Sequence, residues 1–330
     1  METHELQQQF FAHLRQNLPS HLSLVDELGE LLDISPDSVY RRLRGEKPVT
    51  LSELKKICDH YHLSMDQLLH LNHETVLFHA PGLNSTSTDF LDYIKGGLGQ
   101  LKYFNSFKKC EMSYLCKDIP LWHFYLFPEM AAFKTFFWSK TINNHPPLKD
   151  KLFSFAEFPF TDVFAIGQLM LEEYNRMPSI ELWNLESIHS TINQISYYQE
   201  AGLFKSQKDC DLVIDSFVCM LDHLQLQAEK GCKFIPGASD VAYRQKQQFY
   251  VNELILGSNT ILLQLDEKKV SLVTYSIFNY LVTTDDRFGH KSFENFNTLL
   301  SRSTLISGTG EKDRNRFFNS LRNRVLVLRK

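Results

Sequence analysis

The stretch Ser35-Pro36-Asp37-Ser38-Val39-Tyr40-Arg41-Arg42-Leu43-Arg44-Gly45 carries the signals for both ends of a helix. Ser35 is a favourable N-cap residue, because its hydroxyl can satisfy a first-turn amide that has no partner inside the helix. Pro36 suits the first helical position, where a missing N–H does no harm. Asp37 places negative charge at the positive end of the helix dipole. Gly45 can take the left-handed conformation that ends a helix. The helix between these signals is about two turns long, too short to persist alone in water. It needs neighbours to pack against, and the flanking sequence supplies them.

Upstream, Phe10, Phe11, Leu14 and Leu18 form a helical stripe that Pro19 and Ser20 interrupt. A second helix is predicted over about Val25–Leu32, with Leu28, Leu31 and Leu32 apolar. Asp33-Ile34-Ser35 forms the turn into the third helix. Downstream, a fourth helix begins at Leu51 with Leu54, Ile57 and Cys58 on one face, and Ser64-Met65-Asp66 caps a short fifth ending near Leu69. The composition changes around His73–Ser87, where TVLFHA precedes PGLNSTSTD, and the domain boundary is placed near His73.

The order of parts within Val25–Leu69 resembles the Cro/C1-type (XRE-like) helix-turn-helix family over about residues 22–70. A scaffold helix precedes a tight turn ending in Ile34-Ser35, and a helix with an inward valine ends in Arg-Gly. A fourth helix and a Leu-Ser-x-Asp-x-Leu-Leu element follow. Gly29 stands at the small-residue position where two helices cross, and Ile34 and Val39 are expected to plug the core. One departure is Asp33, at a turn position usually held by glycine; Asp tolerates the left-handed region better than most residues. The resemblance implies a recognition helix over about 36–44 that enters the major groove of double-stranded DNA. Ser35 and Ser38 would contact phosphate near the helix start. Tyr40, Arg41, Arg42 and Arg44 would divide between bases and backbone, with Asp37 and Lys47 completing the candidate surface.

The net charge of −4, from 35 Lys+Arg against 39 Asp+Glu, argues against coating nucleic acid by bulk attraction. The first 72 residues are themselves acidic, with seven cations against eleven acids. Yet four of those seven cations, Arg41, Arg42, Arg44 and Lys47, crowd the end of the third helix. Arginine suits this use, because its planar fork matches phosphate and the guanine edge bidentately.

The rest of the 330 residues reads as a larger α+β region. With 43% hydrophobic and 22% charged residues the chain is neither disordered nor collagen-like. Helices are expected at Asp89–Tyr103, Pro128–Thr141, Thr161–Arg176, Ser179–Ala201 and Gln207–Lys230, and a strand at Cys110–Cys116. YVNELIL, TILLQLD and VSLVTYSIFNYLV read as a C-terminal three-stranded antiparallel meander, followed by helices at FENFNTLLSR and EKDRNRFFNSLRNRVLVL. The first residues do not form a signal peptide. The apolar run Leu121–Trp138 is broken by His123, Pro128, Glu129 and Lys134, so it is expected to be buried core and not a membrane span. Lys134 is expected to snorkel to the surface; if buried, it needs a partner.

Six cysteines are spread without a CxxC. Cys110 and Cys116 would lie about 20 Å apart on a strand, and Cys210 and Cys219 about 13 Å apart on a helix. Both exceed the reach of a disulfide, about 4.4–6.8 Å between Cα atoms. Reduced thiols in a cytoplasmic protein are expected. ISGTGEKDR (306–314) lacks the phosphate-loop pattern, since Glu311 separates Gly310 from Lys312. It is expected to be a loop capping the last helix, whose basic residues could bind an anionic effector or supplement the DNA contacts. His60 and His62 are expected at the surface and not on a metal. No catalytic set, metal site or cofactor is expected.

These observations predict an all-α helix-turn-helix bundle at 1–73 and a sensor or dimerisation region at 74–330, with 232–246 as a candidate further division. The expected function is a DNA-binding transcriptional regulator acting as a homodimer, with a small-molecule or protein effector as candidate partner of the C-terminal region and no membrane. The competing classes are an enzyme, or a protein-interaction module, fused to a helix-turn-helix domain.

Overall fold

The computed structural model describes residues 3–16, 18–19, 22–61, 63, 75–81, 90–237, 246–254, 257–276 and 279–329. The expected fifth helix at 64–69 and the boundary at His73 lie outside the described residues.

Among the described residues four helices open the chain: α1 (Thr3–Gln16), α2 (Leu24–Leu32), α3 (Pro36–Leu43) and α4 (Leu51–Tyr61). They bury Phe10, Phe11, Leu14, Leu24, Leu28, Leu32, Val39 and Ile57 in one cluster, joined among the described residues by partly buried side chains between Leu18 and Leu63. Local signals set the boundaries. The Ser23 and Ser35 side chains accept from the amides of Asp26 and Ser38. Asp33 takes the left-handed conformation at φ 55°, ψ 51°, which a short polar side chain tolerates.

The remainder is built on a seven-stranded mixed sheet in the order β6-β5-β4-β1-β2-β3-β7. Its strands are β1 (Cys110–Leu115), β2 (Ser179–Trp183), β3 (Gln247–Val251), β4 (Thr260–Leu265), β5 (Lys268–Thr274), β6 (Tyr280–Thr283) and β7 (Thr304–Leu305). β1, β2 and β3 run parallel; β4, β5 and β6 add antiparallel on one side and β7 on the other. The helices are α5 (Phe90–Asn105), α6 (Pro128–Phe137), α7 (Thr161–Asn175), α8 (His189–Glu200), α9 (Gln207–Lys230), α10 (Asp286–Leu300) and α11 (Glu311–Leu326). One face of the sheet is covered by α10, whose Phe296 packs with Leu182 and Leu262. The other face meets the main core, where Tyr114, Trp183, Phe249, Ile261 and Leu263 join the remaining helices. Ile261, Leu262 and Leu263 thus serve alternate faces, as a strand's two-residue period requires.

Two expectations, the meander and a long helix, are corrected. The C-terminal three-stranded meander is not what forms: β1 and β2 stand between β3 and β4, and the segment expected as its third strand is divided into β5 and β6. Strands on both sides of residues 232–246 share this sheet. The helix expected over Ser179–Ala201 begins only at His189, because 179–183 is β2, a central strand.

A charged residue inside β2 obscured it. Glu181 is fully buried and accepts from Tyr174 Oη, Trp183 Nε1 at 2.8 Å and Gln247 Nε2 at 3.3 Å, and lies 3.1 Å from His123 Nε2. Burial alone would raise its carboxyl, but the charge and hydrogen bond of His123, the Tyr174 hydroxyl and the Lys233 charge hold it below the ordinary range. Those partners come from other elements, so no local pattern announces them.

Lys134 departs from expectation too. It is buried, donates to Gln194 Oε1 at 2.6 Å and Thr191 Oγ1 at 3.3 Å, and lies 4.4 Å from the Phe124 ring centroid and 4.8 Å from that of Trp138. The apolar run around it is core, with Trp122–Leu126 and Met130–Phe137 buried. Among the described residues no helix is long and apolar enough to cross a membrane. The six cysteines form no disulfide.

Candidate nucleic-acid interface

Helix α3 divides its side chains by angle. Val39 and Arg42 face inward and are buried, while Tyr40 and Arg41 stand about half exposed on the opposite side. Arg44, at the helix C-cap, is equally exposed. Ser35, Asp37 and Lys47 are exposed and Ser38 is half-buried. Ser35 Oγ lies 3.4 Å from the Ser38 amide and 3.1 Å from its hydroxyl, so both serines are already engaged at the helix start.

Arg42 does not join the exposed surface, contrary to expectation. Its Nη2 reaches Glu53 Oε1 at 2.6 Å, its Nε lies 3.4 Å from Glu53 Oε2, and its Nη1 donates to the Ser38 carbonyl at 3.0 Å. Glu53 also accepts from the Thr50 amide at 2.9 Å, while its own amide donates to Thr50 Oγ1 at 3.2 Å. That reciprocal pair is a capping box at the start of α4. Burial pushes the Glu53 carboxyl up, but the hydrogen bonds from Arg42 and Thr50 bring it below the ordinary carboxylate range. Arg42 therefore clamps α3 to α4. The signal was present in the spacing: Arg42 follows the inward Val39 by three residues and shares its face.

The exposed cations are positioned by groups with no evident local motif. Glu46 accepts from Arg44 Nε at 2.6 Å and Nη2 at 3.1 Å, and lies 3.9 Å from Arg41 Nε. The Arg44 hydrogen bond and the two nearby positive charges hold the Glu46 carboxyl below its usual range. From α1, the Gln7 amide donates to the carbonyls of Arg42 at 2.7 Å and Lys47 at 2.9 Å, and its oxygen accepts from the Val49 amide at 2.9 Å. Gln8 donates to the Arg44 carbonyl at 3.0 Å. These bonds brace the α3–α4 connection on α1 and hold Tyr40, Arg41, Arg44 and Lys47 along one edge.

The other basic helix is differently used. In α11, Arg316 pairs with Glu253 at 3.0 Å, Arg322 with Asp222 at 2.6 Å and Arg324 with Glu186 at 3.2 Å, and Arg329 just beyond pairs with Asp215. Arg314 is buried and donates to the carbonyls of Ile306 at 3.0 Å and Gly308 at 2.9 Å. The loop 306–310 is thus closed by an arginine of the helix it precedes. His60 is exposed, His62 lies outside the described residues, and no metal-ligating cluster occurs among the described residues.

Residues 19–94 match the model of the BetR domain, a family associated with helix-turn-helix DNA-binding regulators. The match takes in α2, the turn, α3 and α4 and continues past residue 73 into α5. No curated protein and no solved structure matches the chain.

Proposed function

We propose that this protein is a sequence-specific transcriptional regulator of the Cro/C1 helix-turn-helix type. Residues 1–73 form its DNA-binding domain, and 74–330 its sensing and dimerisation region. Helix α3 docks in the major groove, where Tyr40, Arg41 and Arg44 meet bases and backbone and Lys47 meets phosphate. Ser35 and Ser38 lie at the phosphate near the helix start. The reading has the protein act in the cytoplasm by binding, with no catalytic step. One short helix contacts too few bases for operator-level affinity, so a homodimer reads two half-sites about 34 Å apart.

The observation that carries this reading is the division of labour on α3. Val39 and Arg42 secure the helix from inside the bundle, leaving Tyr40, Arg41 and Arg44 along an exposed basic edge. Selection of bound sequences from random DNA with the full-length protein tests it, and an enriched palindrome is the expected result. Arg41→Ala is then expected to weaken binding to that sequence by about 1–3 kcal/mol at fixed salt, with the melting temperature unchanged. Absence of enrichment, or an unaltered affinity in the variant, rejects the recognition-helix assignment.

A further inference from the structure

A cavity of about 590 Å³ lies beyond the carboxyl ends of β1 and β2. Its walls come from the loop after β1 (Lys117, Asp118), the loop after β2 (Glu186), the end of α6 (Phe137), the turn that follows it (Thr141) and one flank of α8. The volume falls within the range of small-molecule sites, about 300–1,000 Å³.

The walls are held in place. Ser187, buried between the two loops, donates to the Cys116 carbonyl at 2.5 Å and accepts from the Asn184 amide at 3.0 Å. Asp118 accepts from the Asn259 side chain at 3.2 Å, and its amide donates back at 2.8 Å. Buried Lys134 holds Gln194 Oε1, which turns the Gln194 amide nitrogen to Ser190 Oγ at 3.2 Å. Since Ser190 accepts that bond, its own proton remains available to donate.

The chemistry of the walls selects among ligand classes. Two carboxylates, Asp118 and Glu186, oppose an anion, while Lys117 at the wall and Lys134 behind Gln194 oppose a cation. Glu186 is further balanced by Arg324 at 3.2 Å. His189 at the wall also lies 3.9 Å from Glu186, so both signs of charge and basic nitrogen surround the cavity, and Asn193 on α8 offers both a donor and an acceptor. Hydroxyl groups donate and accept in turn. Phe137 and Tyr197 add ring surface for an apolar ligand face. We infer that this cavity binds a neutral polyhydroxylated ring, either a free sugar or the ribose of a nucleoside.

Calorimetric titration of the full-length protein without DNA tests this inference with D-glucose, D-ribose and adenosine, against AMP, glutamate and spermidine. Saturable binding of at least one neutral probe is expected; adenosine alone would identify the nucleoside source, and glucose or ribose alone the free sugar. Asn193→Ala and Ser190→Ala should each weaken that binding about tenfold while leaving the unliganded melting temperature unchanged. Failure of all three neutral probes at about millimolar concentration, preference for a charged probe, or unaltered affinity in both variants overturns it. Because DNA is absent from the titration, either outcome is independent of the recognition-helix assignment.

Discussion

Arg41 and Arg42 are adjacent in the chain, yet the turn of α3 carries their guanidinium groups to opposite sides. Arg41 remains half exposed, whereas Arg42 is buried against Glu53 and the Ser38 carbonyl. Removing Arg42 would leave Glu53 without its strongest partner, so Arg42→Ala should destabilise the helical bundle by about 1–3 kcal/mol. Denaturation followed on the bundle checks this, and lost DNA binding in that variant would reflect unfolding. The Glu53 carboxyl lies below its ordinary range when folded, so its contribution is present above about pH 4.3 and fades as pH falls through the folded value. Lys134 gives the same direction of pH dependence for a different reason, because folding disfavours its charged form. Burial brings its ammonium down to about 7, partly countered by the Asp118 charge, whereas an unfolded lysine holds its proton to about pH 10.4. Between these values the unfolded chain binds more protons, so stability rises with pH, by at most about 1.4 kcal/mol per unit. Lys134→Met should remove that gradient, and urea denaturation at neutral and mildly alkaline pH measures the difference.

At the scale of elements, two helix glycines that look alike in sequence have different roles. Gly29 sits in α2 before the turn, but a Cβ there would come no closer than 3.4 Å to the Ile34 carbonyl oxygen, an ordinary contact. The expected tight crossing is therefore not demanded, and Gly29→Ala should be neutral or stabilising by up to about 1 kcal/mol through helix propensity. Gly167 lies against the buried Tyr125 ring, and a Cβ there would fall 2.1 Å from ring carbon Cδ1. Gly167→Ala should cost about 1–3 kcal/mol or more, since a packed ring cannot yield without shifting its neighbours. Thermal melts of the two variants provide the contrast. Strand β2 teaches the same lesson about context: Ser179-Ile180-Glu181-Leu182-Trp183 is a strand because parallel neighbours pair with it on both edges.

At the scale of the molecule, the helical bundle and the sheet region bury separate apolar clusters among the described residues, one built from residues 10–63 and the other from residues 90–328. Separate cores are expected to melt in separate steps. Calorimetry of the full chain should resolve two transitions, with Arg42→Ala lowering one and Gly167→Ala the other. A single transition shifted by both variants would show that the two cores unfold together. A segment between the two cores is also tied to the sheet: His79 exchanges backbone hydrogen bonds with Val282 of β6, at 2.7 and 2.8 Å.

The sequence alone determined the helical bundle's punctuation. Ser35, Pro36 and Gly45 act on amides and carbonyls within a few residues, so their effect does not wait for the rest of the fold. It also determined the long α9, bounded by Ser206 and Gly231, and the core character of Leu121–Trp138. Tertiary structure decided which of two adjacent arginines faces solvent, that a segment containing Glu181 is a central strand, and that Lys134 lies inside. Each depends on partners distant in sequence: Glu53 for Arg42, His123 and Gln247 for Glu181, Gln194 for Lys134. A cap is a local hydrogen bond, whereas a buried charge is tolerable only where the fold brings its partners.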